Sequence, residues 1–126
     1  MLVEDEADTA RLVMSIMEHD GYRVIHAADG RQAIKFVKSM SPPSLVLLDM
    51  LLPYADGIKV LSHIRLSRLA WRDVPVVMLS ANNSARDIRE SLILGASDYI
   101  LKPFTQETLV ARLRRFRPYG TGEPTL

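Results

Sequence analysis

The sequence predicts an α/β fold, with a doubly wound, five-stranded parallel sheet of strand order 2-1-3-4-5, the flavodoxin-like (βα)5 arrangement. Two observations lead to this prediction. Short runs of apolar and β-branched residues alternate with amphipathic helical patterns along the whole chain of 126 residues. Two of these runs, at 45–48 and 76–79, have no polar break. Such runs are typical of parallel strands that helices cover on both faces, and right-handed crossovers then give the doubly wound sheet.

Each predicted element has a local signal. Strands are predicted where aliphatic, β-branched or aromatic residues cluster, and helices where apolar residues recur every three or four positions. Gly21, Gly95 and Pro118 are placed to end helices, and Ser84 and Thr105 to cap the starts of others. In chain order the predicted elements are strand 1–3, helix 7–20, strand 22–27, helix 30–40, strand 45–49, helix 58–69, strand 76–80, helix 85–94, strand 99–101 and helix 105–117.

Three expectations follow from these elements. The first strand is short for a central strand, so we expect residues upstream of Met1. In the fourth helix, the spacing predicts that Ile88, Leu92 and Ile93 face the core. Residues 1–117 are predicted to form one domain, and the composition of residues 118–126 indicates a C-terminal tail or the start of an interdomain linker.

Composition excludes several function classes. Hydrophobic residues make up 48% of the chain and charged residues 25%, and the net charge is +1, so no strong field favours nucleic acid or a membrane surface. There is no cysteine, which excludes disulfides and thiol chemistry. The three histidines share no ligand spacing and receive no role. No apolar run is long enough to span a bilayer and no signal peptide is visible, so a cytoplasmic location is expected.

Polar side chains follow four of the predicted strands. Glu4 and Asp5 follow the first, Asp49 ends the third, Ser80 ends the fourth and Lys102 follows the fifth. The carboxyl ends of parallel strands form the edge where ligands bind, and the order 2-1-3-4-5 makes the first and third strands neighbours. We therefore expect the three carboxylates in one pocket, with the hydroxyl and the ammonium beside them.

Three carboxylates in one pocket repel one another. At about 4 Å and an effective dielectric constant of about 20, each pair costs roughly 4 kcal/mol. Either a pKa rises or a cation binds, and oxygen ligands with room for water suit Mg²⁺, with Mn²⁺ as an alternative ion. A carboxylate held between Mg²⁺ and an ammonium is suited to attack a phosphoryl group. The residues therefore indicate that Asp49 can be phosphorylated.

Five motifs together resemble the CheY-like receiver domain of bacterial two-component response regulators. They are Val3-Glu4-Asp5-Glu6, Leu48-Asp49-Met50-Leu51-Leu52-Pro53 with Asp56-Gly57, Leu79-Ser80-Ala81, Gly95-Ala96-Ser97-Asp98-Tyr99 and Lys102-Pro103-Phe104. They occur in order over residues 1–117, and although each motif alone is weak, the five together are specific.

The resemblance implies a role for each site residue. Asp49 would accept a phosphoryl group from a phosphohistidine on a sensor histidine kinase or phosphotransfer protein. The implied metal ligands are Glu4 through water, Asp5, Asp49 and the backbone carbonyl of Leu51. The implied phosphate-binding and switch residues are Ser80, Ala81, Lys102 and Tyr99, and Tyr99 would rotate inward behind the serine. The bond before Pro103 would be cis.

Two departures from the family pattern matter, and one further residue bears on the lifetime of the phosphoryl group. Ser80 stands where threonine is commoner, but the hydroxyl is kept. Ser97 replaces an aspartate that helps one subfamily to dimerise through its fourth helix, fifth strand and fifth helix, which weakens the case for that dimer although Arg112 fits it. Leu51 is apolar and cannot orient an attacking water, so slow autodephosphorylation is expected.

Three functions stay open on the sequence. The favoured one is a phosphoacceptor signalling module that is not otherwise an enzyme. It would control an output domain or partner through the face of helix 4, strand 5 and helix 5, with a phosphorylation-dependent homodimer as one outcome, and without nucleic-acid or membrane binding. The alternatives are a degenerate receiver that acts only as a docking module, and an aspartyl-phosphate phosphatase-like enzyme, which would need an aspartate where Leu51 stands. The output, the cognate kinase and the signal are not indicated.

Overall fold

A computed structural model describes residues 1–52, 56–67, 70–118 and 124–126. Five parallel strands form one sheet of order β2-β1-β3-β4-β5, which confirms the predicted topology. The strands are β1 (Leu2–Val3), β2 (His26–Ala27), β3 (Val46–Leu48), β4 (Val76–Ser80) and β5 (Asp98–Leu101). The helices are α1 (Ala7–His19), α2 (Gly30–Ser39), α3 (Gly57–Arg65), α4 (Ala85–Ile93) and α5 (Gln106–Arg114), with a 3₁₀ helix at Ala70–Asp73.

Helices cover both faces of the sheet, as the unbroken apolar strands predict. Along β3, Val46 and Leu48 point into the core under α2 and α3, whereas Leu47 points into the core under α1 and α5. All three side chains are fully buried. This alternation fixes the register of the central strand, because a slip by one residue would exchange the two core layers.

The helix boundaries follow the predicted local signals. Ser84 and Thr105 cap α4 and α5, each with its side-chain oxygen accepting from a backbone amide in the first turn. Gly21 and Gly95 have φ of +93° and +112°, the left-handed conformation in which glycine commonly ends a helix. Capping residues can therefore be found from the sequence even where helix lengths differ by several residues.

The predicted inward face of α4 is partly wrong. Ile88 packs against the core, but Leu92 is 44% exposed and Ile93 78% exposed. The buried residue is Ser91, whose hydroxyl donates to the carbonyl of Ile88 at 2.8 Å. Residues three apart share a helix face, and each further residue turns about 100° away. The small Ser91 side chain thus faces inward and the two aliphatic residues after it face solvent.

Two other features differ from the prediction. The strand predicted at 22–27 pairs with β1 only at His26–Ala27, because residues before it pair with the C-terminal end of the chain instead. The segment around Trp71 forms a 3₁₀ helix, and the buried indole donates to the carbonyl of Met40 at 2.7 Å.

Parts of three predictions lie outside the described residues: the loop at 53–55, the end of the third helix at 68–69 and most of the tail at 119–123. The division into residues 1–117 and 118–126 stays a prediction. In the described part of the chain, each helix is too short or too polar to cross a lipid bilayer.

Candidate functional site

The site lies at the carboxyl edge of the sheet, where β1, β3, β4 and β5 end. Glu4 and Asp49 leave adjacent strands, since the amide of Asp49 donates to the carbonyl of Val3 at 3.1 Å. Ser80 ends β4, and its carbonyl accepts from the amide of Lys102 at 3.0 Å. The order of the strands therefore brings the predicted acids, the hydroxyl and the ammonium together.

The three carboxylates form one cluster. Glu4, Asp5 and Asp49 each place a carboxylate oxygen within 4.8 Å of the others. Glu4 and Asp49 are buried, at 2% and 7% exposure, and Asp5 is exposed. Buried carboxylates that face one another with one side open to solvent form an all-oxygen donor set, which fits Mg²⁺ or Mn²⁺ with water completing the coordination.

Lys102 joins two of these acids. Its Nζ donates to Glu4 Oε1 at 2.5 Å and to Asp49 Oδ2 at 3.2 Å, and its peptide bond to Pro103 is cis. The other oxygen of Asp49, Oδ1, accepts from the amide of Leu51 at 3.1 Å. Both oxygens of the Asp49 carboxylate are thus held in place, one by an ammonium and one by the backbone.

The site carries an excess of negative charge that a divalent cation would neutralise. Burial raises the pKa of the Glu4 carboxyl, the hydrogen bond and charge of Lys102 oppose that rise, and the charge of Asp49 adds to it. Burial acts to lower the pKa of Lys102, but the hydrogen bond that Lys102 donates to Glu4 and the charge of Asp49 outweigh it and raise the pKa. Three ionised carboxylates and one ammonium leave two negative charges, which one Mg²⁺ would neutralise.

A second group of contacts connects the site to the start of α4. The hydroxyl of Ser80 accepts from the amide of Asn82 at 3.2 Å, and the hydroxyl of Tyr99 donates to the carbonyl of Asn82 at 2.8 Å. Tyr99 is 8% exposed, so its ring is already turned inward. Ala81, between Ser80 and Asn82, is exposed and small. The β4–α4 loop is therefore held on one side by the site hydroxyl and on the other by the tyrosine.

Sequence reasoning gave no role to three residues of this site. His26 Nε2 lies 2.8 Å from the carbonyl of Glu4, although no role was given to any histidine. Gly57 packs so closely on β3 that a Cβ would lie 2.3 Å from the carbonyl oxygen of Asp49. Asn82 bonds Asp87 through its side-chain amide at 2.9 Å and so fixes the loop. The Asp56-Gly57 pair was a visible signal, whereas nothing in the pattern marks His26 or Asn82.

Known proteins share both this sequence pattern and this fold. The family model of the response regulator receiver domain matches residues 1–114. The phosphate regulon transcriptional regulatory protein PhoB of Escherichia coli is 37% identical over 127 residues, which cover 98% of this chain and 55% of PhoB. The chain thus spans about half the length of the curated relatives it matches.

Two solved structures share the architecture. The receiver domain of the sensor histidine kinase PA1611 from Pseudomonas aeruginosa is 33% identical, covers 91% of this chain and 93% of its own, and has a TM-score of 0.82; it holds a magnesium ion in its active-site cleft. The chemotaxis protein CheY4 of Vibrio cholerae is 27% identical, covers 92% and 95%, and has a TM-score of 0.84. With the family match over nearly the whole chain, these likenesses show that the chain belongs to the response regulator receiver domain family.

Proposed function

We propose that this domain accepts a phosphoryl group on Asp49, in a Mg²⁺-dependent reaction, from a phosphohistidine of a sensor kinase or phosphotransfer protein. The observation that supports this most is the setting of the Asp49 carboxylate. It is buried, shares a pocket with Glu4 and Asp5, and is held by Lys102 at 3.2 Å. An aspartate that served only as a structural cap would not need two further acids and an ammonium facing it.

The transfer step can be written for these residues. An Asp49 carboxylate oxygen forms a bond to phosphorus while the bond from phosphorus to the imidazole nitrogen of the donor breaks. The electron pair stays on the imidazole, which takes up a proton. Lys102 would stabilise negative charge on the phosphoryl oxygens, because its ammonium lies beside the attacking carboxylate.

The metal site would use the acids described above. Asp5 and Asp49 would ligate the ion directly, Glu4 through water, and the carbonyl of Leu51 would be a further ligand. A bound Mg²⁺ supplies charge neutralisation for the approaching phosphoryl group. The residues' own part is to present the carboxylates and to keep Asp49 oriented through the amide of Leu51.

Phosphorylation would change the surface through Ser80. We infer that its hydroxyl turns from the amide of Asn82 to the phosphoryl group, which frees the β4–α4 loop to move towards the site. Tyr99 would follow, because its hydroxyl is bonded to the carbonyl of Asn82. The affected face carries exposed Ile93 and Leu101, at 78% and 43% exposure. A face with these apolar groups suits contact with an output domain, a partner or a second copy.

A phosphorylation-dependent homodimer through this face stays a proposal. Arg112 forms two hydrogen bonds with Asp98 of the same chain, at 3.0 and 2.6 Å, so its guanidinium is already paired within one molecule. The full proteins to which this chain is similar include transcriptional regulators. We propose that the protein controls transcription through an attached module and that it lies in the cytoplasm.

The experiment that tests the proposal uses the purified chain with Mg²⁺ and acetyl phosphate. We expect one phosphoryl group per chain, stable in acid and labile to hydroxylamine, located on Asp49 by mass spectrometry. Asp49→Asn and addition of a chelator should abolish it. Asp29→Asn is the matched control, because Asp29 caps α2 and does not belong to the cluster of three carboxylates, and asparagine also caps helices.

Two other outcomes would favour the alternatives. If the chain takes up neither a phosphoryl group nor a beryllofluoride, it acts only as a docking module. If it releases phosphate continuously with many turnovers per minute, it is a phosphatase-like enzyme. The second outcome is not expected, since the position two residues after Asp49 is Leu51, which carries no acid.

A further inference from the structure

A groove of about 450 Å³ lies between α2 and α3, on their solvent side. The surface that lines it is mainly apolar. Val37 forms part of its floor and is 4% exposed, whereas Leu66, at the end of α3, is 81% exposed. Clefts that bind ligands commonly have volumes of roughly 300–1,000 Å³. The groove is therefore large enough to take several side chains of a partner.

The sides of this groove are basic. Lys38, Lys59 and His63 line it, and none of its described lining residues is acidic. The same bias extends over both helices, since neither α2 nor α3 contains an aspartate or a glutamate. Their basic residues are Arg31, Lys35, Lys38, Lys59, His63 and Arg65. The chain as a whole has a net charge of only +1, so its positive charge is concentrated on this face.

The two lysines beside the groove are not neutralised by the chain itself. Among the residues that the structure describes, no carboxylate forms an ion pair with Lys38 or Lys59. By contrast, the four arginines in and just after α5 each pair with Asp20 or Asp98. Lys59 also lies in the first turn of α3, where the helix dipole favours an acid. Helix stability therefore does not account for its charge, which is available to a partner.

We propose that this groove binds an acidic amphipathic helix of another protein. Aliphatic side chains three and four positions apart on that helix would enter the groove, and its carboxylates would lie beside Lys38, Lys59 and His63. A second copy docked through the same face would place cations against cations, which charge complementarity disfavours. Nucleic acid would pair its phosphates with the lysines but leave the apolar groove and Leu66 uncovered. An acidic amphipathic helix is the occupant that satisfies both the charge and the apolar surface.

The groove lies apart from the phosphorylation site. Lys38 and Leu66 are at the C-terminal ends of α2 and α3. In a parallel sheet with crossover helices, these helix ends lie at the edge opposite the carboxyl ends of the strands, where Asp49 is. A helix bound in the groove therefore leaves access to Asp49 open. The surface is also distinct from the face of α4, β5 and α5.

The first test measures binding of a designed peptide to the full chain by fluorescence anisotropy. The probe is a fluorescein-labelled helix of about four turns, with leucines on one face and glutamates on both sides of it. We expect saturable binding that Lys38→Glu/Lys59→Glu weakens at least about tenfold and that Leu66→Ser also weakens. Arg86→Glu/Arg89→Glu is the matched control, because it makes the same change of charge at exposed residues of α4 and should change the affinity less than about twofold.

Two results of this test would refute the proposal. If the unaltered chain does not bind the peptide, the groove is not a docking site for such a helix. If both double variants lose affinity equally, the peptide responds only to net charge. A peptide with lysines in place of the glutamates should not bind, and equal binding of this peptide would show that charge has no part in recognition.

The second test locates the bound peptide by nuclear magnetic resonance. Backbone amides around Lys38 and His63 should shift on titration, whereas those of Ile93 and Leu101 should not; shifts confined to the latter two would overturn the proposal. Duplex DNA and phosphatidylserine vesicles are titrated in parallel. Tighter binding of either one than of the peptide, lost in Lys38→Glu/Lys59→Glu, would assign the face to that ligand instead. Asp49→Asn should bind the peptide as the unaltered chain does, so the result is independent of phosphorylation.

Discussion

The Lys102 ammonium lies nearer to Glu4 than to Asp49, at 2.5 Å against 3.2 Å. Lysine thus shares its charge between the acid that is proposed to hold the metal through water and the acid that is proposed to accept the phosphoryl group. The ion pair of Lys102 with Asp49 is therefore the looser of the two.

Replacing Lys102 by methionine should separate metal binding from phosphoryl transfer. Without the ammonium, the acids carry more uncompensated charge, so Mg²⁺ should bind several-fold more tightly. The rate of phosphorylation by acetyl phosphate should fall about 100-fold, the usual effect of removing one group that stabilises developing charge. Isothermal titration calorimetry with Mg²⁺ and the rate of acid-stable labelling measure the two effects. Lys59→Met, an exposed lysine on α3, is the control. Labelling at an unchanged rate would show that Lys102 has no part in the reaction.

Gly57→Ala should damage both stability and reactivity. The added Cβ would lie 2.3 Å from the carbonyl oxygen of Asp49 and 2.7 Å from the Cα of Met50, and both contacts are with backbone that cannot rotate away. We expect a loss of about 1–3 kcal/mol in the free energy of unfolding, as for other overpacked sites, and slower labelling of Asp49. Urea denaturation and the labelling assay check this. Ser62→Ala, later in the same helix, should be close to neutral.

Ser80→Ala should uncouple phosphorylation from the conformational change. The serine hydroxyl bonds the amide of Asn82, not Asp49, so labelling should continue within a few-fold of the unaltered rate. The ring resonances of Tyr99 should then fail to shift on addition of beryllofluoride, whereas they should shift in the unaltered chain. Ser80→Thr keeps the hydroxyl and should keep the shift. A normal shift in Ser80→Ala would mean that the serine does not transmit the signal.

The phosphorylated form should persist for minutes or longer. Leu51 is apolar and 62% exposed, and the Asn82 side chain is occupied by Asp87, so neither of these two side chains is available to orient an attacking water. Leu51→Asn should shorten the half-life by about tenfold or more, since a positioned polar group assists proton transfer from the attacking water. Decay of the label after removal of the donor measures both rates. A half-life of a few seconds in the unaltered chain would contradict this interpretation.

The ion pair of Asp98 with Arg112 should make stability depend on pH. Burial acts to raise the pKa of Asp98, but the hydrogen bonds from Arg112 and the amide of Tyr99 outweigh it, and the pKa lies below its ordinary value. A depressed carboxyl pKa stabilises the fold above the unfolded-state value of about 3.9, and this stabilisation is lost as the pH falls through the folded-state pKa.

The variant that tests this is Asp98→Asn. Since Arg112 is partly exposed, we expect a loss of only about 1 kcal/mol at pH 7. The difference in the free energy of unfolding between the variant and the unaltered chain should shrink as the pH is lowered below about 4, because the aspartate then becomes protonated. Urea unfolding at several pH values measures it. A difference that is constant with pH would show that the carboxylate charge is not what stabilises this contact.

The sheet order and the clustering of the site acids could be predicted, because both follow from local sequence patterns. Apolar strands end in polar residues, and parallel topology brings those ends to one edge, which placed Glu4, Asp5 and Asp49 together. The inward face of α4 could not be predicted, because the sequence offers two aliphatic residues and the helix buries Ser91 instead.

Long-range contacts could not be predicted from the sequence, for a different reason. The bond between His26 and the carbonyl of Glu4 joins residues 22 apart, and the bridge between Arg23 and Thr125 joins residues 102 apart. No local periodicity reports such pairings.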